Sequence, residues 1–177
     1  MKLLRTLLAT LAATASLGAA AQIAPTANYT DMWWNPAESG WGISIVQKRP
    51  VGGSVDAMFA VWYTYDPRVP DTTTSAATDF VPLWIVMPGG GAWVTPQTYT
   101  GKMYVTLGTP FASPWNSGAF SFSSADPPVG TYTFNFTDAN NGTFTYNVSP
   151  PPGLASTEPA FGLPSFSGVK AITRQGF

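Results

Sequence analysis

Thr131-Tyr132-Thr133-Phe134-Asn135-Phe136-Thr137-Asp138-Ala139-Asn140-Asn141-Gly142-Thr143-Phe144-Thr145-Tyr146-Asn147-Val148 is the stretch that decides the fold. Tyr132, Phe134 and Phe136 alternate with Thr and Asn, and Phe144, Tyr146 and Val148 do the same after the turn residues. A period of two puts one aromatic face toward a core and one hydroxyl and amide face toward water. Asn-Gly between two such runs supplies the positive φ of a tight hairpin turn. The expected register sets Thr137 against Thr143, Phe136 against Phe144, Phe134 against Tyr146 and Tyr132 against Val148. Each aromatic pair is then worth roughly 0.2–1 kcal/mol over alanine.

Outward from this hairpin the same alternation recurs. Residues 42–47 read as a strand with Ile43 and Ile45 on one face. Residues 56–65 are the longest candidate, with Ala57, Phe59, Val61, Tyr63 and Tyr65 on one face and Met58, Ala60 and Trp62 on the other. Apolar side chains on both faces predict a central strand or one beneath a second layer. Residues 83–87 read as a short buried strand, and 98–107 and 169–175 alternate again. Polar, Pro- and Gly-spaced stretches at 66–81, 108–128 and 150–168 read as long loops. No part of 22–177 has helical periodicity. The expectation is a single all-β domain: an antiparallel barrel or sandwich of seven to eight strands, most simply an up-and-down meander.

The first residues are Met1-Lys2-Leu3-Leu4-Arg5, then an apolar run ending at Ala19-Ala20-Ala21. A basic start, a short apolar run and an Ala-x-Ala ending predict a signal peptide over 1–21. The run is too short and too rich in Ala and Thr for a membrane span. The mature domain is then 22–177, opening on a short lead to Tyr29. It is exported to the periplasm, the cell surface or the medium. Loss of Lys2 and Arg5 leaves six basic against nine acidic residues, a net charge of −3. No basic stripe is present, so nucleic acid is not an expected partner. Cysteine and histidine are both absent, which excludes Cys nucleophiles, Ser-His-Asp triads and nearly all zinc sites. No cofactor or metal motif stands out, and nothing in the sequence sets the oligomeric state.

A second stretch concentrates unusual residues: Trp33-Trp34-Asn35-Pro36-Ala37-Glu38-Ser39-Gly40-Trp41-Gly42 holds three of the seven tryptophans. With Phe59-Ala60-x-Trp62-Tyr63-x-Tyr65-Asp66 and Pro82-Leu83-Trp84, it resembles a family of exported proteobacterial proteins with a WWNPxESGWG signature. The resemblance continues through Tyr99-Thr100-Gly101 and Phe136-Thr137-Asp138-Ala139-Asn140-Asn141-Gly142. It closes at Lys170-Ala171-Ile172-Thr173-Arg174-Gln175, so that nearly all of the mature chain is covered. Extra residues at about 67–81 and 150–167 depart from the pattern. The resemblance implies an exported β domain and no particular activity.

Three functions fit these residues. The first is a non-catalytic binding module for a glycan or other cell-surface ligand, with Trp33, Trp34, Asn35, Glu38, Trp41, Trp62 and Trp84 as the candidate ligand-binding residues. Tryptophan faces stack on the apolar faces of sugar rings, while amides and carboxylates orient the hydroxyls. The competing reading makes part of this stretch a plug across one end of the barrel. Trp33 and Trp34 are adjacent, so an extended segment points one of them outward, and that one is the best binding candidate. The second is a structural or interaction subunit of a surface assembly. The third is a carboxylate-dependent glycosidase with Glu38 as a general acid, its pKa raised by the surrounding tryptophans. That reading needs a second carboxylate from Asp31, Asp56, Asp66 or Asp138. Otherwise Glu38 accepts backbone N–H groups or pairs with Arg174 or Lys102.

Overall fold

The computed structural model describes residues 23–48, 57–68, 76, 80–119 and 127–176, and the expected signal peptide lies outside them. Nine strands form one sheet: β1 (Asp31–Trp34), β2 (Gly42–Lys48), β3 (Ala57–Tyr65), β4 (Pro82–Met87), β5 (Ala92–Thr95), β6 (Thr98–Val105), β7 (Gly130–Phe136), β8 (Asn141–Val148) and β9 (Phe166–Arg174). Every pairing is antiparallel. β4 pairs with β6 through Ile85–Val105 and Val86–Tyr104, and β1 pairs with β9. The sheet is thereby an eight-stranded up-and-down barrel. β5 is an extra strand that pairs with β6 beyond β4. Closure removes the free edges that an open sheet would expose.

The hairpin is present and its faces are as expected, but its register differs by two residues. Phe134 faces Phe144, Tyr132 faces Tyr146, Gly130 faces Val148, and Phe136 faces Gly142. Gly142 is a strand residue, absent from the glycines with positive φ. The turn is made by Asp138 instead, whose Oδ1 accepts the backbone N–H of Asn140 at 2.7 Å and of Asn141 at 2.9 Å. Asp is favoured in turns for this self-capping geometry.

Inward-facing residues fill the barrel with rings. Trp33, Ile43, Met58, Ile85, Tyr99, Tyr132, Phe134, Phe136 and Phe144 are all buried in one cluster. Glycines on neighbouring strands make the room. A β-carbon on Gly101 would lie 2.9 Å from Tyr132 Cε1, and one on Gly168 would lie 2.6 Å from the Tyr146 hydroxyl. Large against small is how a tapering barrel interior is packed. Fully burying each large apolar side chain contributes about 1.5–3 kcal/mol.

Three sequence expectations change. Residues 57–65 alternate and form a central strand between β2 and β4, the first of the two expected readings; the second fails, because Phe59 and Tyr65 are exposed and no second layer covers the outer face among the described residues. The strand at 82–87 is likewise buried on one face only, with Trp84 exposed. The lead before β1 is not a loose tail at Tyr29. That ring is fully buried and stacked 3.7 Å from Phe136, and the Tyr29 backbone N–H donates to Gln47 Oε1 at 2.9 Å. Tyr29 closes the end of the barrel where the chain enters.

Alternate connections of an up-and-down barrel leave from the same end. Connections 35–41, 66–81, 106–129 and 149–165 therefore share one end. The connections 88–97 and 137–140 and the Tyr29 plug share the other. The three stretches read as long loops thus leave and re-enter the barrel at the end that carries residues 35–41.

Candidate functional site

β1 is four residues long while its neighbour β9 has nine. Only Trp33–Arg174 and Trp34–Thr173 pair between them. β1 stops because Asn35 and Pro36 turn the chain: Asn35 accepts the N–H of Ala37 on Oδ1 at 3.0 Å and that of Glu38 on its carbonyl at 3.0 Å. Pro36 lacks the N–H a continuing strand would need. Gly40 completes the loop at φ +102°, a conformation that side chains strongly disfavour. The wall beside the first two-thirds of β9 is therefore made by loop 35–41 rather than by a strand.

A cleft of about 260 Å³ opens there, lined by Glu38, Trp41, Trp62, Thr64, Tyr65, Pro67, Tyr146, Phe166 and Lys170. Its aromatic residues pack on one another. Trp62 lies 4.8 Å from Tyr146 and 5.1 Å from Phe144, while Tyr146 lies 6.0 Å from Phe166. The indole N–H of Trp62 is buried with no acceptor among the described residues, at a cost of about 1–3 kcal/mol.

The polar group of the cleft is an ion pair. Lys170 Nζ donates to Glu38 Oε2 at 2.8 Å, and Trp41 Nε1 donates to the same oxygen at 3.2 Å. Glu38 Oε1 carries none of these bonds. Lys170 lies on the same face of β9 as Phe166 and buried Ile172, so it projects inward where the missing stretch of β1 leaves space. The Lys170 hydrogen bond holds the Glu38 carboxyl below its ordinary value, against a smaller desolvation effect, and Trp41 adds to the lowering. Lys170 is raised in turn, first by the same bond. The expectation of a raised Glu38 pKa is thus reversed, and its partner is Lys170 rather than Arg174 or Lys102. The reason is physical: a charged donor at hydrogen-bond distance outweighs the neighbouring rings.

The other candidates are dispersed. Trp33 is a core residue whose Nε1 donates to the Tyr29 carbonyl at 3.0 Å, with the Arg174 guanidinium 5.3 Å from its ring. Trp34 is the outward-facing member of the pair and half-buried, away from the cleft. Asn35 shapes the loop. Trp84 lies on the outer wall of β4, edge to face with Tyr63 at 5.6 Å. Lys170, Tyr146, Phe166 and Tyr65 were not singled out by the sequence. Lys170 carried a signal, being a charge in register with Phe166 and Ile172, as Arg174 also is. Of the proposed carboxylate partners, Asp31 pairs with Arg174, Asp66 with Arg68, and Asp138 caps the hairpin turn. Asp56 lies outside the described residues.

A second cavity of about 300 Å³ lies within the loop after β8, lined by Pro150, Leu154, Phe161 and Leu163 among others. Arg68 ties that loop to β3 by donating to the carbonyls of Pro159 and Phe161 at 3.1 and 2.9 Å. Among the described residues no group of three or more His, Cys, Asp or Glu could hold a metal, and no helix is long and apolar enough to cross a membrane. The chain matches no protein-family model, no curated protein and no solved structure.

Proposed function

We propose that this protein is an exported binding module that takes one unit of a cell-surface or extracellular glycan into the cleft at the long-loop end. One observation carries the reading: an aromatic-walled cleft holds a single self-neutralised ion pair, Glu38–Lys170. Aromatic walls suit the apolar faces of a sugar ring, and a few placed polar groups fix its orientation. Glu38 Oε1 accepts from a hydroxyl while Lys170 Nζ donates to its neighbour. Because the pair cancels its own charge, it does not favour a charged ligand over an uncharged one, and the ligand's hydroxyls replace the water that the two groups give up. The test is a glycan-array screen and cell-wall pull-down with the purified protein, followed by titration of Trp41→Ala. Retained binding by a folded Trp41→Ala protein would remove the cleft from the account.

A second reading, a subunit of a surface assembly, rests on a different observation. Val46 and Phe59 are register partners on the outer wall, and both are exposed. It predicts a mass that rises with concentration in light scattering, and a monomer at all concentrations counts against it. The glycosidase reading has less support: Glu38 is held ionised by Lys170, whereas a general acid must keep its proton.

A further inference from the structure

We infer that the ligand is a chain rather than a single unit, and that Tyr65, Tyr63 and Trp84 carry it over the rim of the barrel onto the outer wall of β3 and β4. This rests on the glycan reading of the cleft and extends it. Tyr65 lines the cleft and also belongs to the outward face of β3. Tyr63 is two residues back on that same face, one strand repeat of roughly 6.8 Å away. Tyr63 is the register partner of Trp84, and the two rings meet edge to face at 5.6 Å. Trp84 is 62% exposed. The aromatic surface therefore does not end at the cleft mouth but continues along one strand pair.

The β7–β8 wall fills its outward positions differently. On β7 and β8 the corresponding face is Thr131, Thr133, Asn135, Thr143, Thr145 and Asn147. Trp84 is not a lone exposed ring: with Tyr63 and Tyr65 it forms a contiguous aromatic patch, the kind of surface that marks an interaction site. The strands themselves carry no charge from Ala57 to Tyr65 or from Pro82 to Met87, so nothing there selects an ionic partner. Flat rings at strand spacing, uncharged and continuous with the cleft, match the successive apolar faces of an uncharged polysaccharide.

The test is a titration of the protein with β-1,4-linked glucose and N-acetylglucosamine oligomers of two to six units, read by tryptophan fluorescence and calorimetry. Affinity is expected to rise with length. Trp84→Ala should weaken the longest oligomer about tenfold while leaving the shortest within about twofold. Trp84→Thr, the residue type of the opposite wall, should behave alike and guards against a folding artefact. Affinity independent of length, or unchanged long-chain affinity in both variants, overturns the extension while leaving the cleft. Absence of binding at every length overturns the glycan reading and the extension with it.

Discussion

Lys170 on β9 and Glu38 on the loop after β1 lie 132 residues apart in the chain and meet at 2.8 Å. The contact spans the gap where β1 stops short of the first part of β9. Lys170→Met should therefore reduce ligand binding at least tenfold, while far-ultraviolet circular dichroism and the thermal midpoint stay close to wild type. A half-exposed pair contributes little to stability, so a large fall in Tm would show that the pair is structural instead.

The same pair sets a pH profile. Glu38 is held below its ordinary value of 4.5 and Lys170 above 10.5. For the carboxylate, the contribution is present above the unfolded-state value and is lost as pH falls through the lowered folded value. For the ammonium, it is present below the unfolded-state value and is lost as pH rises through the raised one. Binding should be flat from 4.5 through neutral pH, failing below 4.5 as Glu38 takes up a proton and above 10.5 as Lys170 loses one. Glu38→Gln should abolish that acid limb. An acid limb centred near neutrality would contradict the assignment.

Trp33 and Trp41 belong to one motif but should separate cleanly. Trp33→Ala removes a fully buried ring and its hydrogen bond to Tyr29, and should cost about 3–5 kcal/mol in urea denaturation. Trp41→Ala, at a half-buried position, should cost much less and lose the ligand. Equal destabilisation by the two would place Trp41 in the core rather than the site.

Gly40→Ala tests the loop itself. Its φ of +102° is strained for any side chain, so about 1–2 kcal/mol of stability should be lost. Binding should weaken as well, because Glu38 and Trp41 flank the strained position.

Gly101→Ala tests the packing of the barrel. The new methyl would meet the Tyr132 ring, an overpacking that typically costs about 1–3 kcal/mol. Tyr132 is buried, and burial is the main cause that pushes its phenol far above the ordinary value. Its absorbance should accordingly stay un-ionised in alkaline titration until the protein unfolds.

Much of the barrel was legible because alternation is local. Phe134 and Phe144, Ile43 and Ile45, and Met58, Ala60 and Trp62 all face inward as their spacing requires. The hairpin register was not legible, because Asn141-Gly142 looked like the turn while the Asp138 carboxylate makes it one step earlier. β1 and β5 escaped notice for their length: four residues show too little periodicity to read. Glu38, Trp41 and Trp62 stand out in sequence by their chemistry and do meet in one cleft. Lys170 completes that cleft through closure of β9 onto β1, a contact between chain ends that no local pattern encodes. Trp33 was indistinguishable from Trp41 in sequence because both are motif tryptophans, and only strand direction separates wall from cleft.

The most direct measurement is a fluorescence titration of the wild-type protein, Trp41→Ala and Lys170→Met with the best-retained glycan from the array, at constant pH and salt. Saturable binding by the wild type, lost in both folded variants, is expected if the Glu38–Lys170 cleft is the site. Wild-type affinity in either folded variant would contradict it.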